Sequence, residues 1–427
     1  MPPPLGQRIL RGVGANAIGQ FVTVGTQLLS LPLFLHYWTL SQYGEWLIVS
    51  AIPAYFSLAD VGIGTVAMNR MTMLVAQGRT HEADRAFQSA LALTAGAAVT
   101  LFGISLLLIW TLELGHAGGQ DTRLSLSILM AVALLGTFTP LVDGAFRAGE
   151  RFATGTMAIQ LIRATEWVGA LLGLFIGRTM PAVAAGMLLG RLIPSIVLVF
   201  CTRALFPHFH WSFSGASRSE LGAMLPAATA FLALPVGNAI LLQGTTLVVG
   251  FNFGPAAVAI FNSCRTLSRI PVQILTTFSR SIWPELSRSY GAGDMQVLTS
   301  LYRRSRGIAM IGSAIACTGL YAASPVILRV WSHSTISFDA GLVGLFCATA
   351  FAGCVWQIEQ VLLSATNTHV GISTWYFLMS LAAVLLSTLV PSTAGPGLVV
   401  VCLLTFELVM FAIAHRSVAR LLRSSAT

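Results

Sequence analysis

Residues 91–110, LALTAGAAVTLFGISLLLIW, carry no ionisable side chain over 20 positions. At about 1.5 Å of rise per residue, such a run spans about 30 Å as an α-helix, the hydrocarbon thickness of a bilayer. It does not alternate polar and apolar positions, as barrel strands do. Similar runs lie near 13–35, 44–68, 124–142, 155–177, 182–202, 222–243, 256–283, 307–328, 340–363, 371–390 and 397–414. Over the 427 residues 55% are hydrophobic and 9% charged, where soluble domains carry roughly 25% charged residues. Lipid must therefore be the solvent. The chain reads as an all-α polytopic membrane protein of about 12 transmembrane helices.

All 24 basic residues are Arg, and the net charge is +9. They are spread over short loops and do not cluster on one domain, which argues against nucleic acid as a partner. With the N-terminus inside, the cytoplasmic segments hold Arg8, Arg11, Arg70, Arg79, Arg85, Arg147, Arg151, Arg203, Arg218, Arg288, Arg303, Arg304, Arg306, Arg416, Arg420 and Arg423. Only Arg123, Arg178 and Arg329 fall outside. The positive-inside rule then predicts cytoplasmic N- and C-termini. The N-terminus, MPPPLGQRILRG, runs into the first span without a small-residue cleavage site, so that span reads as retained.

The 6 cysteines sit in apolar stretches without a CxxC pair. Neither they nor the histidines, His208 and His210 included, have metal-ligand spacing, and no metal or cofactor is expected. No glycine-rich loop with Lys and Ser/Thr is present for ATP. Outer loops are short, which counts against a membrane glycosyltransferase or ligase. The chain is therefore not expected to be an enzyme.

A repeat divides the chain. Tyr43-Gly44 opens a span that leads to a basic inner loop with Gln77-Gly78 and HEADRAF; Gly254-Pro255 opens another that leads to Tyr290-Gly291 and DMQVLTSLYRR. This predicts two six-helix lobes: residues 1–203, a cytoplasmic linker 204–221, and residues 222–427.

An ionised side chain at a helix centre costs about 2.5–3.5 kcal/mol on insertion scales, so each needs a reason. In the span 256–283, Asn262, Arg265, Arg269, Gln273, Thr276 and Arg280 recur at three- and four-residue steps and form one polar face. A hydrogen-bonded seam would need only Asn, Gln and Thr. Arg265 and Arg269, one turn apart, repel each other and favour an anion-facing cavity. The stripe Asn16, Gln20, Thr23, Gln27, Ser30 in the first span is uncharged, and suits packing or cavity lining alike. Arg163 and Glu166, three apart, are read first as neutralising each other. Arg191, before Pro194, is read as a partner for Glu166 or as cavity lining. Asp60, followed by the flexible Gly62 and Gly64 in SLADVGIG, suits ion coupling or gating, with a salt bridge to a cavity Arg as the alternative. Glu166, Glu359 and Glu407 join it as coupling or gating candidates. Gly169, Gly173 and Gly177, with Gly186 and Gly190, form small-xxx-small packing faces.

Several stretches resemble the bacterial polysaccharide exporters of the O-antigen flippase type. LLSLPLFLHYWTLSQYGEWLIVSAIPAYFSLADVGIGTVAMNRM is similar to their opening two spans and DGAFRAGERF to the loop after their fourth. SIWPELSRSYGAGDMQVLTSLYRRSR is similar to the inner loop of their second lobe, and SPVILRVW to the end of their ninth span. That family belongs to the multidrug/oligosaccharidyl-lipid/polysaccharide exporter superfamily. The resemblance implies two lobes around a central cavity in the bacterial inner membrane, and alternating access that moves an undecaprenyl-pyrophosphate-linked oligosaccharide from the cytoplasmic to the periplasmic leaflet. It implies H⁺ or Na⁺ coupling, membrane lipid and the polysaccharide polymerase machinery as candidate partners. Related lipid II flippases carry a cavity Arg before a Pro on the eighth span, where Arg265 or Arg269, preceding Pro271, would correspond. The substrate-binding candidates are thus Arg265, Arg269, Asn262, Gln273, Arg191 and Arg163. A pyrophosphate suits Arg forks, which bind its oxygens bidentately. The alternatives are a multidrug or cation antiporter, or a lipid II flippase, of the same superfamily. A cation extruder would want acidic cavity residues.

Overall fold

The computed structural model describes residues 5–56, 63–111, 119–366 and 368–424. Asp60 lies outside them, as do the side chains of Arg8, Arg11, Asn16 and Arg280. In chain order the helices are α1 (Leu5–Tyr37), α2 (Leu40–Phe56), α3 (Ile63–Ala76), α4 (Thr80–Thr111), α5 (Gly119–Gly136), α6 (Thr139–Ala148), α7 (Phe152–Gly177) and α8 (Met180–Leu205). There follow α9 (Arg218–Ala239), a π-turn (Ile240–Gly244), α10 (Thr245–Phe253), α11 (Pro255–Gly291), α12 (Met295–Trp331), α13 (Ala340–Ala365), α14 (Val370–Thr388) and α15 (Gly397–Ser424). No strand occurs among the described residues.

Local chemistry sets the helix ends. Asp294 accepts from the Val297 amide at 2.9 Å and Asp339 from the Leu342 amide at 3.0 Å, satisfying donors that the first turn leaves open. Gly254, at φ +83°, separates α10 from α11, in a backbone region that favours glycine. Pro255 then starts α11, where its missing N–H removes no helical bond.

Among the described residues, 10 helical stretches are long and apolar enough to cross a membrane. The two remaining expected spans fall on α2–α3, where residues 57–62 are outside the description, and on α11, whose polar stripe lowers its hydropathy. The seventh expected span, 222–243, falls on α9 and the π-turn, and the chain stays helical beyond it to Phe253.

The fold divides into two compact units, Met1–Trp38 with Val49–Pro235, and Thr39–Ile48 with Val236–Thr427. In the first unit α1 and α8 pack on α7, and α3 packs on α4 and α6. Phe87, Phe146, Leu141 and Met71 are fully buried there, joined by Phe206 and Phe209 from the segment after α8. That segment, part of the expected linker 204–221, is docked on α4. Asp84 accepts from the His210 amide at 2.7 Å, Gln88 from the Gly215 amide at 2.7 Å, and Ser89 from the Ser217 amide at 2.9 Å.

Between α7 and α8 the backbones touch. A Cβ added at Gly169 would lie 2.1 Å from the Gly186 carbonyl oxygen, and one at Gly173 would lie 2.1 Å from that of Ala182. The anticipated small-residue face is thus a contact surface. In lipid, apolar burial does not drive helices together, and close packing of this kind does.

In the second unit α13 packs on α11, α12 and α15. The segment Thr39–Ile48 belongs to this unit, and a Cβ on Gly44 would collide with the Pro255 carbonyl. The two span openings that the repeat pairs, Tyr43-Gly44 and Gly254-Pro255, therefore meet directly. Large apolar side chains remain exposed on both units, among them Val99, Leu107, Ile176, Ile311, Ile315 and Val330. Lipid solvates them.

Candidate functional site

The polar face of α11 contains two arginines in different circumstances. Beside it, the π-turn interrupts the regular ladder of the helix, and side chains come to its carbonyls. Thr246 Oγ1 donates to the Leu242 carbonyl at 2.8 Å, and Arg265 Nη1 donates to the same oxygen at 2.8 Å. Arg265 Nη1 also donates to Thr245 Oγ1 at 3.0 Å, and Nη2 to Thr246 Oγ1 at 2.9 Å and to Asn262 Oδ1. All four terminal N–H donors of Arg265 are used inside the protein. Its guanidinium also lies 5.5 Å from the Phe261 ring centre, within cation–π range. Asn262 is itself tied back, donating to the Val258 carbonyl at 3.1 Å.

Arg269 is half-buried, yet makes no hydrogen bond or ion pair among the described residues. Its electrostatic neighbours are Arg265, Tyr376 and Glu407. Glu407, on α15, accepts from Trp356 Nε1 of α13 and packs against Gly353, where a Cβ would sit 3.3 Å from the carboxylate. Tyr376 lies 5.8 Å from Trp356 by ring centres. The Arg269 guanidinium thus has no fixed acceptor among the described residues and is half removed from water, with Tyr376 and Glu407 as its neighbours. Gln273 is half-buried one turn further on, and Thr276 accepts from Gln357 Nε2 at 2.9 Å.

Glu359, the third acidic candidate, is fully buried at the far end of α13. It accepts from Tyr302 Oη and lies 3.6 Å from Arg306 Nε and 3.4 Å from His415 Nδ1. It thereby joins α12, α13 and α15, apart from the α11 arginines.

In the first unit Glu166 pairs with Arg191 at 2.6 Å, both side chains 16% exposed. The neutralisation of Glu166 by Arg163 gives way to this pair, since α8 approaches α7 along its glycines and brings Arg191 across. Arg163 is exposed, without a hydrogen bond or ion pair among the described residues. In the first span's stripe, Ser30 accepts from Trp167 Nε1 at 2.9 Å, so that end of the stripe serves packing. The sequence reading missed Leu242, Thr245, Thr246, Trp356 and Tyr376. The Gln243-Gly244-Thr245-Thr246 run inside an apolar span was the available signal.

The chain belongs to the polysaccharide biosynthesis protein family, whose sequence model matches residues 41–334. No curated protein matches it by sequence. An inward-facing multidrug resistance MATE transporter of the MOP superfamily is similar in structure at 15% identity and TM-score 0.72, over 94% of this chain and 99% of that one. An outward-facing multidrug resistance MATE transporter gives TM-score 0.66 at 15% identity, over 97% and 96%. A MOP superfamily transporter from Pyrococcus furiosus, described by a binding pocket of reversed polarity, gives TM-score 0.59 at 15% identity, over 99% and 95%. The fold is therefore that of the MOP-type transporters, and the chain is a multi-pass membrane protein.

Proposed function

We propose that this protein is a flippase that carries a polyprenyl-pyrophosphate-linked oligosaccharide from the cytoplasmic to the periplasmic leaflet of the inner membrane, by alternating access. The observation that carries this reading is Arg269, a half-buried guanidinium with no protein acceptor among the described residues. A pyrophosphate supplies the acceptor oxygens that such a fork lacks. Membership of a polysaccharide biosynthesis family supports a glycan as cargo. Arg265 holds the polar face in place beside the site, with Asn262 and Gln273 along it. The polyprenyl tail stays in lipid, because the charged head alone needs a hydrated path.

Ion coupling belongs to the same proposal. Asp60 and Glu407 are its candidates, while Glu166 and Glu359 are paired with Arg191 and Arg306. The test is the appearance of lipid-linked glycan on the outer leaflet in cells that lack their own flippase. Restoration by this chain supports the reading; failure at normal membrane expression overturns it.

A multidrug exporter is the second reading, favoured by the fold shared with multidrug resistance transporters and by the half-buried carboxylate of Glu407. Efflux of a cationic dye that depends on Glu407 and is indifferent to Arg269 would select it.

A further inference from the structure

At one end of the second unit five arginines are exposed, Arg303 and Arg304 on α12 and Arg416, Arg420 and Arg423 on α15. None of the five makes a hydrogen bond or ion pair among the described residues. The two helix ends lie side by side. Arg306 Nη1 is 3.4 Å from His415 Nδ1, and these two side chains approach the Glu359 carboxylate at 3.6 and 3.4 Å. That carboxylate is already shared by Tyr302, Arg306 and His415.

The arginines extend the lipid-facing sides of their helices. On α15, Leu398, Val401, Thr405, Val409 and Ala412 are exposed at three- and four-residue steps, and Arg416, Arg420 and Arg423 continue the same steps. All therefore lie on one face. On α12, Arg304 opens the exposed stripe Ile308, Ile311, Ile315 in the same way. The opposite faces are seated in the unit: Tyr302, Ser305 and Ala309 on α12, and Met410, Ala414 and Val418 on α15, are buried.

Helix length sets the depth at which these stripes turn from apolar to basic. The 37 residues of α12 and the 28 of α15 extend about 55 Å and about 42 Å, so both outrun a hydrocarbon core of about 30 Å. On α12 the exposed apolar positions from Ile308 to Val330 already cover about 33 Å. Arg304, one turn before Ile308, therefore stands at the level of the headgroups. The positive-inside rule asks only for basic residues in the flanking segment, and side chains that point into water satisfy it. It does not account for arginines on the lipid-facing sides of two neighbouring helices.

We propose that these arginines form a docking surface for the headgroups of anionic phospholipids, whose acyl chains lie along the apolar stripes of α12 and α15. Each guanidinium fork offers paired donors to phosphate oxygens, and basic clusters beside membrane helices attract anionic lipid in this way. Charge selects this occupant, since a zwitterionic headgroup would leave the arginines uncompensated. The surface lies at the Glu359 end of α13, and the inference holds whichever cargo the transporter carries.

The test is isothermal titration calorimetry on the purified full chain in detergent. The probes are short-chain phosphatidylglycerol and phosphatidylcholine with the same chains. Phosphatidylglycerol should bind the more tightly, by a margin that shrinks at high salt. Arg304→Gln and Arg416→Gln should each weaken phosphatidylglycerol binding about fivefold and leave phosphatidylcholine unchanged. Arg203→Gln is the control, an exposed arginine at the end of α8 with no hydrogen bond or ion pair among the described residues, and it should bind as the wild type. The arginines of the surface hold no protein group, so their variants should fold. Circular dichroism checks this, and Arg420→Gln probes the same face a third time. Equal binding of the two lipids, surface variants that bind as the wild type, or an equal loss in Arg203→Gln would each overturn the proposal.

Discussion

Arg265 donates to the carbonyl of Leu242 across 2.8 Å, so a charged side chain of α11 completes the backbone of the π-turn beside it. π-turns cluster at functional positions because they are less stable than the α-helix they interrupt. This one is held by three side chains, Arg265, Thr245 and Thr246. The arginine that the sequence marks as a ligand for anions is first of all a brace.

The brace makes a prediction. Arg265→Leu removes its hydrogen bonds to Leu242, Thr245, Thr246 and Asn262, although Thr246 still donates to Leu242. Hydrogen bonds to charged groups are each worth about 1.5–3 kcal/mol, so a clear fall in thermal stability is expected in detergent. Arg265→Lys should recover part of it, since an ammonium reaches fewer of the four acceptors. Unchanged melting of Arg265→Leu would show that the π-turn stands without it.

Arg269 should behave in the opposite way. No described residue accepts from it, so Arg269→Gln relieves a half-buried charge and should leave stability equal or higher. Export of lipid-linked glycan should nonetheless fall sharply. Lys keeps the charge without the fork and should rescue in part; Glu should be worst, through repulsion of the anion. Wild-type export by Arg269→Gln would remove the anion site from α11.

The Glu166–Arg191 pair predicts compensation. Glu166→Gln or Arg191→Gln alone leaves its partner half-buried and uncompensated, and each should destabilise. The double Gln variant should be closer to wild type than the sum of the singles. Contacting residues of this kind couple by about 0.5–3 kcal/mol. The measurement is a double-mutant cycle on thermal unfolding; strict additivity would mean that the pair is not formed in solution.

The legible part of the fold is what repeats along one helix. Apolar length revealed the spans, the three- and four-residue spacing revealed the α11 stripe, and glycine spacing revealed the α7 face. What stayed hidden depends on a neighbour. Nothing in the α11 stripe separates Arg265 from Arg269, because the difference lies in the carbonyl of Leu242 and two threonines about 20 residues earlier. The sequence likewise offered Glu166 both Arg163 and Arg191 as partners, and only the approach of α8 to α7 selects Arg191. The π-turn was invisible since no residue type demands it.

The glycines supply the last prediction, and their positions decide its sign. At Gly186 a Cβ would lie 2.0 Å from the Gly169 carbonyl oxygen, while at Gly103, within α4, it would meet nothing within 4 Å. Both sit inside helices, where Ala in place of Gly gains about 0.5–1 kcal/mol if space allows. Gly103→Ala should therefore be neutral or stabilising. Gly186→Ala must push α8 away from α7, because the obstacle is backbone and cannot rotate aside. It should lower the melting temperature, and it should also loosen Arg191 from Glu166, which the same helix contact brings together. The check is paired melting of the two variants in detergent, followed by Gly186→Ala in the Glu166→Gln/Arg191→Gln background. If the ion pair depends on the glycine contact, the penalty of Gly186→Ala shrinks in that background. A penalty of the same size would mean that glycine packing and ion pair act independently, and equal behaviour of Gly103→Ala and Gly186→Ala would refute close packing of α7 on α8.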